Sequence, residues 1–333
     1  MKLLYIIPLL LLLVSCGNRT TDKSLIEGSL PGSIDSIFSS SPETLIDFAG
    51  EAYYFPRYSP DGSKIIVTGA NYKGIWSFNL KDQKLLKLTE EDKSGYEYVL
   101  SKNSKTIYFI GAKFMDDIRR YTYSLQAVTA ETGIKEILFS SRKRMSSLNI
   151  IDDRTLAFFL ADSLVFFSTS SKKFVAPTET DYRSIKIYGN KLFVYMRNGQ
   201  KELKPFGEDN IISVDESPVN KEYLLYVAGK GLYKYFSEAD QFRFIGDFQN
   251  AAYSPDGKMI AYTIEENDGH FITGSEIFIA LLEKTKSFRL TNTKDVHEMN
   301  PSWSPDGKAI IYNTEDGKIK EIKLTIIEQE KEE

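Results

Sequence analysis

The 333-residue chain contains one cysteine and two histidines. It cannot form an internal disulfide, and a zinc site, which takes three or four His, Cys or carboxylate ligands, would have to be built almost wholly from acids. It has no Gly-x-Ser-x-Gly elbow, no Gly-x-x-x-x-Gly-Lys loop and no EF-hand spacing, so the enzymes and sensors recognised by those motifs are excluded. An excess of positive charge is missing as well: 42 Lys and Arg stand against 46 Asp and Glu, which leaves no electrostatic footprint for nucleic acid. The apolar run from Leu3 to Val14 is too short to cross a bilayer as a helix.

That run has another use. Lys2 precedes it, Ser15 and Cys16 follow it, and the whole has the form of a secretion signal. Leu13-Val14-Ser15-Cys16 resembles the bacterial lipobox, in which the cysteine becomes the acylated first residue of the mature protein. The alternative is an ordinary signal with a chance cysteine near its end, but that would export a free thiol to an oxidising compartment. The resemblance implies a lipid-anchored protein of the bacterial cell envelope. Gly17, standing where an aspartate would favour inner-membrane retention, points to the outer membrane and leaves open whether the periplasmic or the surface side is meant. Residues 1–15 are thus read as signal peptide and 16–42 as the lipidated cysteine with a flexible tether rich in Ser, Gly and Thr. Its 26 residues from 17 to 42 would span about 28 Å if unstructured. Leu30, Ile34 and Phe38 fall at i, i+4, i+8 and offer the alternative of a short amphipathic turn docked on the domain.

From residue 43 the pattern is all strand and turn. Ser-Pro-Asp-Gly recurs at 59–62, 254–257 and 304–307. Proline presets φ for the second turn position and glycine supplies the positive φ that returns the chain to a strand, so each copy predicts a tight hairpin. Asp61, Asp256 and Asp306 therefore have a structural role, and no catalytic one is needed to explain them. Strands like the one after each turn begin at 64, 106, 155, 191, 223, 259 and 309, a mean period of about 41 residues. That period of strand-only units predicts an all-β propeller of four-stranded antiparallel blades spanning 43–326. Seven blades are favoured; the count is six if the short fourth unit merges with a neighbour. The last unit ends one strand early while Glu43 to Phe48 has no unit of its own, so that segment should close the ring beside the strand containing Ile322. Residues 327–333 read as a charged tail.

The segment "NPSWSPDGKAIIYNTEDGKIKEIKL" resembles the TolB-type propeller repeat, clearly in three units and faintly in the others. The resemblance implies a role at the cell envelope, although nothing here matches the separate α/β domain that precedes the propeller of TolB. Similar propellers precede the hydrolase domain of prolyl-oligopeptidase-like enzymes, for which no residues remain. Oligogalacturonate lyases use related propellers with several metal-binding histidines, and two are too few for that.

In such blades the tight turns share one face of the ring and the longer loops share the other, where binding residues tend to sit. Residues 111–121, 140–147, 265–276 and 292–300 are those loops. Candidate partner-binding residues are Phe114, Met115, Asp116, Asp117, Arg119 and Arg120, which combine apolar anchors with charge. Arg142, Lys143 and Arg144 would suit an acidic partner, and Asp268, His270, His297 and Glu298 complete the set. His270 and His297 are the residues from which a metal site would draw, though their spacing forces none, and no cofactor is expected. The expected function is a non-catalytic, lipid-anchored interaction module that binds an envelope protein or a glycan. The alternative is a carbohydrate- or peptide-processing enzyme with its site in the central channel, which paired carboxylates facing that channel would favour.

Overall fold

The computed structural model describes residues 34–328 apart from 49, 118, 177–182, 189–190, 197–198, 204–206, 208–209, 268–271, 283–285 and 294–295. The signal, Cys16 and the tail beyond 328 lie outside the described residues. The described chain forms seven antiparallel sheets arranged as the blades of a propeller. Blade 1 contains Tyr53–Tyr58, Lys64–Gly69, Ile75–Asn79 and Lys84–Thr89. Blade 2 contains Tyr98–Leu100, Thr106–Met115, Arg120–Thr129 and Lys135–Ser141, and blade 3 runs from Met145–Asp152 to Lys173–Val175. Blade 4 shows three strands among the described residues, Arg183–Tyr188, Lys191–Met196 and Gly199–Leu203, in keeping with the short fourth unit of the sequence. Blade 5 runs from Ile211–Glu216 to Gln241–Gly246, and blade 6 from Gln249–Tyr253 to Ser287–Arg289. Blade 7 contains Glu298–Trp303, Ala309–Thr314 and Ile319–Glu328.

A blade set radially in a ring has a neighbour on each face, so its second strand has no solvent side. Lys64–Gly69 and Ala309–Thr314 are buried at all six positions. Alternate residues serve alternate neighbours, as the period of two in a strand requires. Ile65 and Val67 pack with Ile311 and Ile319 of blade 7, whereas Ile66 packs with Tyr98, Ile107 and Phe109 of blade 2. On the far side, Tyr223, Leu225 and Val227 meet blade 4 and Leu224 meets Tyr253 and Ile260 of blade 6. The first strands of neighbouring blades touch one another and so line the central channel.

The repeated turn is tighter than its sequence predicts. In all three copies the serine hydroxyl donates to the aspartate Oδ1 at 2.6 Å and accepts the amide five residues on, from Lys64, Met259 or Ala309, at 2.8–3.0 Å. The glycines sit at φ of 69°, 69° and 70°, as the turn requires. Neighbouring turns also interlock: a Cβ added at Gly62 would touch Pro305 and one at Gly307 would touch Pro255, while at Gly257 it would strike Val219. Partial burial works against ionisation of Asp61, but donors from Ser59, the Ser63 amide and hydroxyl, and Ser104 hold its carboxyl below the usual range.

The ring closes as the sequence requires. Glu43–Ile46 pairs antiparallel with Ile319–Glu328, with Glu43 opposite Glu321 and Ile46 opposite Ile319. A second N-terminal strand, Ile34–Ser39, lies inside the span read as tether and pairs with the end of the same strand, from Ile34 opposite Glu328 to Ser39 opposite Leu324. Ile34 is buried beside Met259 and Leu324, which anchors this strand to blades 6 and 7. Ile46 is fully buried at the seam between blades 7 and 1. Its replacement by alanine should cost about 2–4 kcal/mol, measured by urea denaturation, while Phe38→Ala, at a position 59% exposed, should cost far less. Equal costs for the two would show that the seam is not what the ring depends on.

Candidate functional site

Among the described residues five blades share the same turn bond, in which Ser59, Ser101, Ser217, Ser254 and Ser304 each donate an amide to the carbonyl five residues on. This fixes equivalent rungs on their first strands. Two residues before the serine stand Arg57, Val99, Asp215, Ala252 and Ser302, so one cation and one acid interrupt a rung of small or apolar groups. Blades 1 and 5 are not neighbours, yet the charge of Arg57 favours ionisation of the Asp215 carboxyl.

Asp215 is half-buried as a residue, but its carboxyl is withdrawn from water. Desolvation pushes it up to about 6, against the lowering effect of the Tyr253 amide, which donates to Oδ2 at 3.2 Å, and of Arg57. A carboxyl that titrates near neutral pH at a channel wall can both take up and give back a proton. Glu216, next in the strand, is not its partner in chemistry: it is held up mainly by burial and then by Asp215, and it accepts a hydrogen bond from Tyr223. The Arg57 guanidinium lies 5.5 Å from the ring of Tyr98, whose buried hydroxyl meets no partner among the described residues.

Next to Arg57 the channel wall becomes aromatic. Phe55 stacks on Tyr72 with ring centres 4.6 Å apart, and Tyr72 meets Tyr96 edge-on at 5.0 Å. Both stacked residues are held at positive φ, 53° for Phe55 and 60° for Tyr72, a conformation that costs bulky residues about 1–2 kcal/mol each. Asn250 and Asn300 occupy the same bulge position in blades 6 and 7, four residues before the turn serine, at φ of 49° and 54°. Asparagine tolerates that geometry and phenylalanine does not, so blade 1 carries its ring there at a cost.

The expected loop face exists, but two of its loops are extended hairpins. Phe114, Met115 and Arg120 lie in ten-residue strands, with Asp116, Asp117 and Arg119 exposed at the tip. Phe114 stays out in solvent and packs edge-on against Tyr121 at 5.2 Å. Arg142, Lys143 and Arg144 are exposed on the link between blades 2 and 3. Asp268 and His270 lie outside the described residues. His297 is half-buried and faces Glu315, Nδ1 to Oε2 3.4 Å. Glu298 is not a surface contact: it is fully buried, and Thr293 and Tyr312 donate to its Oε1 at 2.8 and 3.1 Å. Burial raises its pKa, and nearby Glu276 adds to that. Among the described residues no three His, Cys, Asp or Glu side chains gather to hold a metal. Hollows of about 690 and 570 Å³ lie between neighbouring turns, walled by the bonded Pro-Asp-Gly scaffold and the last strand around Leu324.

Arg57 and Asp215 are missed when the sequence is searched for motifs. They stand two residues ahead of Ser-Pro in "PRYSP" and "VDESP", the second being a degenerate copy of the repeated turn.

No family model matches the chain, and no curated protein matches it. Among solved structures it is similar to an oligogalacturonate lyase from Vibrio parahaemolyticus, at 13% identity and a TM-score of 0.45, over 84% of this chain and 79% of that one. It is also similar to an oligogalacturonate lyase in complex with manganese, at 13% identity and a TM-score of 0.42, over 85% and 79% of the two chains. Such identities bear on the fold alone. The expectation that the chain is not an enzyme is corrected by the chain's own Asp215: its desolvated carboxyl is raised to about 6 with no motif around it, so missing hydrolase and zinc motifs are no ground for excluding catalysis. The physical reason is that burial in a channel activates a carboxyl without any local motif.

The raised carboxyl has a thermodynamic signature. The folded protein keeps the Asp215 proton to about pH 6 while the unfolded chain releases it near 3.8, so the fold binds more protons in that window and loses stability as pH rises through it. Asp215→Asn removes the loss and keeps an acceptor for the Tyr253 amide. By calorimetry the variant should be more stable than the parent by about 3 kcal/mol near pH 7.5, with the difference gone by about pH 4. A variant less stable than the parent near pH 7.5 would show that the carboxyl is not desolvated.

Proposed function

We propose that the protein is a carbohydrate-processing enzyme that works by proton transfer in the central channel. The observation that carries this reading is the Arg57–Asp215 pair: a desolvated carboxyl with a pKa of about 6 that feels a guanidinium from a non-neighbouring blade, with stacked aromatic rings beside the guanidinium. Asp215 is the acid–base group. Arg57 donates to oxygens of the bound sugar and stabilises negative charge that develops during reaction. Phe55 and Tyr72 offer ring faces to the apolar face of a sugar, and both are already held in place by strand and stack, which limits the entropy lost on binding. The single carboxyl on this rung suits a reaction with one acid–base group better than hydrolysis, which uses two flanking carboxylates. The anchor belongs to the same proposal: acylation of Cys16 would hold the enzyme at the cell envelope, within reach of external polysaccharide.

Incubation with a panel of polysaccharides, followed by chromatography of the products, tests the reading. At least one substrate should be cleaved by the parent, and Asp215→Asn should lower that rate about 100-fold or more. Undiminished cleavage by the variant would exclude the channel carboxyl. Phe55→Asn gives an independent check, because it exchanges a strained residue for the one that blades 6 and 7 use at that position. Its melting temperature should be unchanged or higher while turnover falls; a fall in both would assign Phe55 to the scaffold.

A further inference from the structure

A second concave site opens on the loop face beneath the blade 2 hairpin. Its volume is about 250 Å³, and its walls include Lys93, Tyr96, Glu97, Tyr121, Tyr123 and Arg144. That is below the range of about 300–1,000 Å³ common for drug-sized ligands and suits a single ring. Tyr96 and Tyr121 are 60% and 46% exposed, which leaves ring surface open, and the Lys93 ammonium lies 5.9 Å from the centre of the Tyr121 ring.

The platform is held firmly. Ser94 is fully buried and its hydroxyl donates to the Glu91 carbonyl at 2.8 Å. The Gly95 amide donates to the Tyr72 carbonyl at 3.0 Å, and a Cβ at Gly95 would strike Thr68 and the Gly74 carbonyl. Tyr72 and Tyr96 are therefore fixed relative to each other through the backbone. Tyr96 belongs both to the wall of this cavity and to the aromatic line that leads through Tyr72 and Phe55 to Arg57 in the channel.

We propose that this cavity is a sugar-binding subsite outside the channel, filled by one ring of the same glycan chain whose neighbouring residues pass over Tyr96, Tyr72 and Phe55 to reach Asp215. The occupant follows from the chemistry of the walls: exposed tyrosine faces for the apolar side of a sugar, with Lys93 and Arg144 at the edge to donate to its oxygens. The inference rests on the carbohydrate reading of the channel.

Affinity electrophoresis of the full chain through gels containing xylan, alginate, polygalacturonate or mixed-linkage β-glucan separates the two claims. At least one polymer should retard the parent. Tyr121→Ala and Tyr96→Ala should weaken that retardation about tenfold, Tyr96→Phe should restore most of it, and Asp215→Asn should leave it intact while abolishing turnover. Because both tyrosines are exposed, their melting temperatures should not change. Retardation unchanged in both alanine variants, with turnover lost in Asp215→Asn, overturns the subsite and keeps the channel reading. Retardation lost in the alanine variants, with no polymer cleaved by any form, keeps the subsite and overturns the channel reading. If no polymer retards the parent, or if the tyrosines prove to bind a protein and no glycan, the subsite is overturned.

Discussion

A radial sheet has no side that faces water, and the rest of this structure follows from that constraint. Each second strand must be apolar on both faces, because each face meets a different neighbour. Ile66 serves blade 2 while Ile65 and Val67, on either side of it, serve blade 7. The hydrophobic effect thus acts around the ring, with no single central core. It also imposes closure, since an unclosed ring would expose two such faces and two strand edges. The chain meets that demand twice, by placing Glu43–Ile46 and then Ile34–Ser39 along one strand of the last blade.

A scaffold built from repeats makes its departures from repetition informative. The turn serines fix the first strands in equivalent positions, and against that regularity Arg57 and Asp215 stand out on a rung otherwise filled by valine, alanine and serine. The same comparison picks out Phe55, an aromatic residue in a backbone conformation that two other blades give to asparagine. Both departures destabilise the fold where they stand, one through a desolvated carboxyl and the other through a left-handed bulge. Local costs of this kind tend to gather where a protein binds or reacts. Here both stand on first strands around the ring, Phe55 on blade 1 and Asp215 on blade 5, with a run of stacked rings beside Phe55.

The ring was legible in the sequence because its signals are local and repeated. The spacing of strands such as "KIIVTG" and "AIIYNT" gave the blades, the Ser-Pro-Asp-Gly turns gave the hairpins, and an unmatched strand at each end gave the closure. The site was not legible, because circular geometry brings together residues that are distant in sequence. Arg57 and Asp215 are 158 positions apart, and no spacing rule pairs them. Residues that looked like surface candidates separated once packing was known. Phe114, although apolar, is exposed on a long hairpin, as an interface residue would be, whereas Glu298, a charged residue equally close to a loop in sequence, is sealed between two blades. Composition misled on catalysis in a different way, since a lack of histidine and of known motifs says nothing about a carboxyl that its surroundings activate.

The most direct test of the account is a carbon-13 NMR titration of the aspartate carboxyls, with Asp215 assigned through its asparagine variant, with and without a glycan that the protein binds. The account predicts a resonance that titrates near pH 6, well apart from the surface aspartates, and that shifts when the glycan is added. A carboxyl that titrates with the surface groups and ignores the glycan would contradict it, and would leave Arg57 and Asp215 as ordinary members of the scaffold.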